Sequence, residues 1–502
     1  VSTETGSSTT TTGGGPPRAW GLVLAAIVGA EYLLQLDGTI VNVALPEIQA
    51  RFDASITTGS WILNGFYLAF GALLLVTGRL GDVFGYRRVF LFGIGLVAVA
   101  SLVAGLAQNI EVLLVGRVLQ GAGAALAGPS ALALLTILSE GERRQRAFGL
   151  YSTVTALGSA SGMVFGGLLT SAGSWRWSIL VNVPIAALIF VVALRVLGTR
   201  DAARSQRSLG IPSAALATGA LTAGVYGLVH AADAGWQDAG TIVPLVAAVV
   251  LFTLLPVVDS RSPEPLLPGR IFAHRDRLGG FLNLTLLASV LGSFLFFLAQ
   301  YLHAVLDLSP VRTGLALLPF AIAILFSASL ITKWASSISL KARGVAGLAV
   351  VTLGVAWLSR VDDGAGYASS VLPQIIIIGI GVGLAIVPFN VVILSSADPQ
   401  DTGITAGIVQ VAITVGGLIG IGVFLLPFTH GAGSEVEHFA RVFTWLTVPA
   451  IIGILVSLGL WFGPGRGKAP AAVDAAQATP AQATPAQATP AQATPATADT
   501  AS

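Results

Sequence analysis

Three ionisable side chains stand inside apolar runs of this chain: Glu31 and Asp37 in the first run, and Arg117 in the fourth. A charge within a bilayer costs about 2.5–3.5 kcal/mol on insertion scales, so such groups mark functional positions. A carboxylate takes up and releases protons, and a nearby guanidinium changes how readily it does so. Two readings of Arg117 follow. It is a structural ion pair that fixes two helices, or it biases an acid in a proton relay. Glu31 and Asp37 are six residues apart, which is about 9 Å along a helix and about 120° around it. That spacing makes two separate acid sites, both able to line a central cavity at different depths, with Asp37 nearer the outer end. A hydrated position at the helix end is the alternative for Asp37. Neutral candidates for the cavity wall are Asn64, Tyr67, Gln300, Tyr301, Asn390 and Gln410. Ordinary interhelical packing would also explain each of them.

Other chemistries are poorly supplied. The chain has no cysteine, and its five histidines form no ligand-spaced pair. No metal site is therefore expected, nor any thiolate chemistry. No nucleophile, base and metal constellation is visible, so an enzyme is not expected. No Gly-x4-Gly-Lys-Ser/Thr loop occurs, which argues against an ATP-driven pump. No cofactor is expected. A net charge of +2 is too small to suggest a nucleic-acid partner.

The elements that must carry the three charges are membrane spans. The 502 residues are 54% hydrophobic and only 10% charged, where about a quarter is usual for soluble domains. Apolar runs long enough to cross a bilayer lie near 20–43, 61–78, 89–107, 112–138, 147–170, 177–197, 212–231, 240–258, 279–302, 312–332, 344–359, 370–394, 403–428 and 440–462. Fourteen spans put both termini on one side. Twenty of the 26 lysines and arginines fall on that side and five on the other. Positive charge stays inside, so both termini are expected in the cytoplasm. The expected fold is an all-α multi-pass bundle in a bacterial plasma membrane. Residues 20–197 form one six-helix half and 279–462 the other, and 198–278 hold an inserted helix pair with its loops. Residues 1–19 are Thr-, Ser- and Gly-rich and are expected to be a disordered cytoplasmic tail. They lack a charged start and a cleavage site, so the first span is expected to act as an uncleaved anchor. Residues 463–502 include four Ala-Gln-Ala-Thr-Pro repeats, a low-complexity tail.

Three motifs narrow the reading. The loop Gly78-Arg79-Leu80-Gly81-Asp82-Val83-Phe84-Gly85-Tyr86-Arg87-Arg88 is a short charged latch with glycines for a tight turn. The fourth span carries Arg117-Val118-Leu119-Gln120-Gly121. The fifth carries glycines at 149, 158, 162, 166 and 167, with Met163 directly after Gly162. Gly158, Gly162 and Gly166 share one helix face, which lets a second backbone approach closely. Gly149 and Gly167 lie on another azimuth.

These motifs together resemble the major facilitator superfamily. The loop resembles its signature loop, with Gly78, Asp82, Gly85, Arg87 and Arg88 as the gating residues the resemblance implies. Arg117-x-x-Gln120-Gly121 is similar to the pattern whose arginine serves proton transfer. The ladder Gly149, Gly158, Gly162, Gly166, Gly167 is similar to the exporter motif Gly-x8-Gly-x3-Gly-Pro-x2-Gly-Gly, with Met163 in place of the proline. A straighter fifth helix is expected from that replacement. Leu36-Asp37-Gly38-Thr39-Ile40-Val41-Asn42-Val43-Ala44-Leu45-Pro46, Trp175-Arg176-Trp177 and Asn182-Val183-Pro184 look like the fourteen-helix drug:proton antiporter branch. The resemblance implies two halves around a central cavity and proton-driven export of an amphipathic drug or antibiotic; the two carboxylates of the first span favour a cationic cargo over an anionic one. An antibiotic self-resistance exporter of the puromycin type is the particular form it suggests. It also implies proton coupling through Asp37, Glu31 and Arg117. The alternative is a proton-coupled metabolite symporter of the same superfamily.

Overall fold

The structure is a computed structural model. It describes residues 20–198, 210–262, 265–267, 269–331, 337–362, 364, 366–397, 402–430 and 433–463. The expected tail 1–19, and all but the first residue of the expected tail 463–502, lie outside the described residues.

Every regular element among the described residues is helical. The first half comprises α1 (Trp20–Phe52), α2 (Ile56–Phe84), α3 (Tyr86–Gly105), α4 (Ile110–Leu138), α5 (Gly141–Ser171), α6 (Trp175–Leu180) and α7 (Asn182–Val196). The inserted pair is α8 (Ile211–Ala234) and α9 (Ala239–Ser260). A short α10 (Gly269–Phe272) leads to α11 (Arg275–Ala304), α12 (Pro310–Phe326) and α13 (Leu340–Leu358). The chain ends in α14 (Tyr367–Ser370), α15 (Leu372–Ser395), α16 (Thr402–Thr429), α17 (Glu435–Trp445) and α18 (Thr447–Trp461). Thirteen helical stretches are long and apolar enough to span a membrane. With α2, 29 residues long, they make fourteen.

Side-chain caps set many of the starts. Ser55, Asn109, Ser174, Asp238, Ser339 and Ser434 each accept a first-turn backbone N–H of the helix they precede. Each cap satisfies one of the donors that a helix start leaves open. The His230 side chain and the Gly240 N–H hold the Asp238 carboxyl below its usual range. Prolines set the breaks. Pro184 cannot donate to Leu180, and the sixth span divides at Val181 into α6 and α7. Pro449 likewise parts α17 from α18 at Leu446. Gly85 joins α2 to α3 at φ 90°, a conformation that only glycine adopts without strain.

The fifth helix organises the packing. It is one uninterrupted helix of 31 residues through Met163. A Cβ on Gly158, Gly162 or Gly166 would stand 2.9, 2.8 or 2.6 Å from the carbonyl oxygens of Tyr32, Leu36 and Ile40. This stripe therefore seats α5 against the backbone of α1. Gly167 points elsewhere, with its Cβ position 2.4 Å from the carbonyl oxygen of Pro310 on α12. Gly314 of α12 returns the contact, since a Cβ there would collide with the carbonyl oxygen of Met163. Gly149 faces nothing within 4 Å. The ladder thus serves two neighbours, one in each half.

The halves meet at the Phe52 end of α1. There α5 meets α12, Val311 donates its N–H to Ser171 Oγ at 3.2 Å, and Gln300 donates to the Gln49 side-chain oxygen. Toward the Trp20 end of α1 they diverge around a cavity of about 1630 Å³. The inserted pair packs through α8 against α2 and α16, at the seam between halves. Tyr226 lies 6.2 Å from Trp61 there. The outer face of α9 exposes Val243, Val246, Val249 and Phe252, as a lipid-facing helix does.

Two outcomes follow from this packing. Gly166→Ala should lower stability by about 1–3 kcal/mol through overpacking, read as a fall in melting temperature in detergent, whereas Gly149→Ala should not. Because the chain has no cysteine, Gln49→Cys with Gln300→Cys gives a background-free pair. A reducible bifunctional thiol reagent should cross-link it and arrest transport in vesicles, and reduction should restore transport. Undiminished transport by the cross-linked protein would show that the Phe52 end need not open.

Candidate functional site

The polar residues of α1, α3, α4 and α7 converge on Asp37. It is buried, at 2% exposure, and Arg117 is fully enclosed at 0%. Arg117 Nη1 donates to Asp37 Oδ2 at 2.8 Å and to Gln120 Oε1 at 2.9 Å. Its Nε donates to the Ile62 carbonyl at 3.0 Å. The guanidinium lies 4.5 Å from the Phe66 ring centroid, a cation–π contact. Gln120 Nε2 donates to Asp37 Oδ1 at 3.3 Å and to Ser101 Oγ at 2.7 Å. Asn182 Nδ2 also donates to Asp37 Oδ1. Breaking one member of such a buried pair costs about 3–5 kcal/mol, because the other charge is left without compensation.

Glu31 belongs to a different site. Its carboxylate accepts from Gln35 Nε2 at 2.8 Å, Tyr151 Oη at 2.6 Å and Thr155 Oγ1 at 3.0 Å. The last two stand on α5, so Glu31 joins α1 to α5 by neutral hydrogen bonds. Glu31 lies on the cavity wall, and Asp37 does not. The expectation that both acids line the cavity therefore holds for Glu31 alone. Just beyond Asp37, α1 does reach the wall, through Gly38, Thr39 and Asn42. Asp37 itself points inward among α4 and α7, where Arg117 and Asn182 hold it.

Of the neutral candidates, Tyr67, Asn390 and Gln410 line the cavity. Asn64 is wholly buried and not on the wall. Gln300 and Tyr301 stand at the last turn of α11, on the closed side. Gln300 pairs with Gln49, and Tyr301 packs against Phe439 and Phe443. Their position along α11, past the depth of the cavity, explains the difference. The remaining wall is largely apolar, with Phe66, Phe70, Leu291, Leu295 and Ile413.

The motif expected as a loop is helical on both sides of Gly85: Arg79 and Asp82 lie in the last turns of α2 and Tyr86 opens α3, and these three stand at the cavity mouth with Arg270 of α10. Tyr86 donates to Asp82 at 2.6 Å, and Arg79 donates to the Pro265 carbonyl at 2.9 Å. Arg87 Nε reaches the Leu197 carbonyl at 2.7 Å and its Nη2 reaches that of Leu194 at 3.2 Å. The loop thus clamps the end of α7 and the segment after the inserted pair. Arg88 stands beside Arg87 on α3, and Gly78 belongs to α2, its surroundings outside the described residues. In the second half Lys341 pairs with Asp276 at 2.7 Å. Gln120, Asn182, Ser101, Tyr151 and Thr155 were not singled out as site residues. Gln120 stands three residues after Arg117 and so on the same helix face, a signal already present in the motif.

Comparison with known proteins agrees with this geometry. Over 432 residues, 85% of this chain and 84% of the other, the chain is 38% identical to the "Puromycin resistance protein pur8" of Streptomyces alboniger. It is 33% identical over 89% of its length to the "Cephamycin export protein CmcT" of Amycolatopsis lactamdurans, covering 93% of that protein. Among solved structures, the POT family transporter PepTSo superposes with a TM-score of 0.65 at 15% identity, over 87% of this chain and 97% of that one. That last likeness is one of fold. The Major Facilitator Superfamily profile matches residues 28–421, and the chain belongs to that superfamily.

Proposed function

We propose that this protein is a proton-driven exporter of an amphipathic drug or antibiotic, one that gives its host resistance. The observation that carries this reading is the buried Asp37–Arg117 pair, set behind the wall of a cavity with a charged mouth and an apolar interior. The printed names of its relatives, concerned with antibiotic resistance and export, favour outward transport. Puromycin is the first compound to try. The excess of lysine and arginine on the side of both termini supports a cytoplasmic location for them. The cavity then faces the cytoplasm, where cargo is collected. No nucleic-acid partner is needed. The carboxylates of α1 favour a cationic cargo over an anionic one.

Transport proceeds by the half 20–197 rocking against the half 279–462, with 198–278 as the inserted pair between them. Within the ladder, Gly158, Gly162, Gly166 and Gly167 let α5 slide against α1 and α12 without side-chain collision, while Gly149 faces open space. Gly78, Asp82, Gly85, Arg87 and Arg88 form the latch that parts and re-forms. Asp37 takes a proton when Arg117 withdraws and releases it when the pair re-forms, and Glu31 is a second coupling acid. A 100 mV potential supplies about 2.3 kcal/mol for each charge moved inward, which suffices for a substantial cargo gradient.

The deciding experiment uses inverted vesicles with an imposed pH gradient. Asp37→Asn should abolish proton-driven puromycin uptake and, in an efflux-deficient bacterium, resistance. Because Asn leaves Arg117 without its counter-charge, the double variant Asp37→Asn with Arg117→Gln should recover folding but not uptake. Normal proton-driven uptake by Asp37→Asn would remove Asp37 from the mechanism.

A further inference from the structure

The start of α11 carries buried polar nitrogens that no group in the protein meets. Arg277 is 6% exposed, yet its Nε and Nη1 have no hydrogen-bond partner. Its Nη2 donates to the Arg270 carbonyl across a long 3.4 Å. Among the described residues no carboxylate pairs with Arg277. Asp276, its neighbour in the chain, is turned to Lys341 of α13 at 2.7 Å. His274 Nδ1 is also buried without a partner. His274 stands three residues before Arg277, on the same face of the helix. Its side chain makes no cap to α11, so the positive end of the helix adds to the same spot. A guanidinium buried without a counter-charge is costly. The charge, the imidazole nitrogen and the helix start converge, and an oxyanion would satisfy all three. α10 covers the spot: Phe272 packs on Phe281 with ring centroids 5.7 Å apart, and the Arg270 carbonyl takes the Nη2 bond. At four residues, α10 is a small cover to displace. The apolar run of α11 begins near 279, which sets Arg277 at the depth of lipid headgroups.

We propose that Arg277 and His274, with the first turn of α11, bind a phosphate group, and that α10 lifts from Arg277 to admit it. Once the Arg270 carbonyl withdraws, Nε and Nη2 of Arg277 present two parallel N–H groups to two phosphate oxygens. His274, with its proton on Nδ1, donates to a third oxygen. Two sources carry this chemistry, the headgroup of an anionic lipid in the adjoining leaflet and free phosphate. The headgroup depth of Arg277 favours the lipid. Arg275, in the same turn, is exposed and donates to the Gly459 carbonyl at 3.0 Å, so it takes no part in the site.

The test follows thermal unfolding of the purified full-length protein, stripped of lipid in a neutral detergent and held at constant ionic strength. The probes are phosphatidylglycerol and inorganic phosphate. The controls are chloride and phosphatidylcholine, whose phosphate is already balanced by its own choline. The melting temperature of wild type should rise with a phosphate probe and not with the controls. Arg277→Gln should weaken the apparent Kd for that probe by about tenfold or more, and His274→Ala by less. Arg275→Gln, which removes an exposed charge from the same turn, should bind as wild type does. Without ligand, Arg277→Gln should melt no lower than wild type, because it removes an uncompensated charge; that also shows it is folded. A response to phosphatidylglycerol alone assigns the headgroup, and a response to inorganic phosphate as well assigns the free ion. No response to either probe, an equal response to chloride, an equal loss in Arg275→Gln, or undiminished affinity in Arg277→Gln overturns the site. A marked fall in the ligand-free melting temperature of Arg277→Gln would do so too, since Arg277 would then be compensated within the protein.

Discussion

A carboxylate and a guanidinium can share the interior of a lipid-embedded bundle only if each neutralises the other and hydrogen bonds meet most of their remaining polar atoms. That requirement at Asp37 dictates how the first half is assembled. Asp37 comes from α1, Arg117 and Gln120 from α4, and Asn182 from α7. Ser101 of α3 holds Gln120, and the Ile62 carbonyl of α2 holds Arg117. One buried charge pair thus fixes five membrane helices in register. The proline break at Val181 belongs to the same arrangement, since Asn182 opens the segment that follows it.

The helix left out of this knot is α5. Its hold on α1 combines close backbone approach at Gly158, Gly162 and Gly166 with neutral hydrogen bonds to Glu31. The same helix touches the second half through Gly167 and Met163. A side chain at the cavity wall therefore contacts the element that bridges to the other half. A protonated Glu31 loses part of its acceptor capacity, and the bonds from Tyr151 and Thr155 weaken with it. Close glycine packing leaves α5 free to shift by small amounts once those bonds relax.

The fold was more legible in the sequence than the site. Apolar runs reveal spans directly, because lipid tolerates little else. They do not reveal that α1 continues to Phe52 over 33 residues, about 50 Å at helical rise, since the helix outlasts the apolar run. The identity of the charged residues was equally plain, whereas their pairing was not. Asp37 and Arg117 are 80 residues apart, and Glu31 and Tyr151 are 120 apart. Such contacts depend on the rotation of each helix about its axis, which an apolar run all round does not specify. Asp37 is turned from the cavity by that rotation alone. Gln300 and Tyr301 fell on the closed side because depth along α11, rather than polarity, decides which residues meet the cavity.

The two ends of the bundle are built from different interactions, and the difference bears on control. The open end carries Arg79, Asp82, Arg270 and the Lys341–Asp276 pair. The closed end is held by the Gln49–Gln300 amide pair, the Val311–Ser171 hydrogen bond and glycine-to-backbone contacts. None of those closed-end groups titrates. In the proposed orientation that end meets the outside, where the proton supply varies. Those particular contacts keep their strength whatever the external pH. In the proposed mechanism protonation acts at Glu31 and Asp37 and reaches the contacts between the halves through the helices. Had ionisable side chains made those contacts, opening would be tied to bulk pH and the link between proton movement and cargo would be weaker.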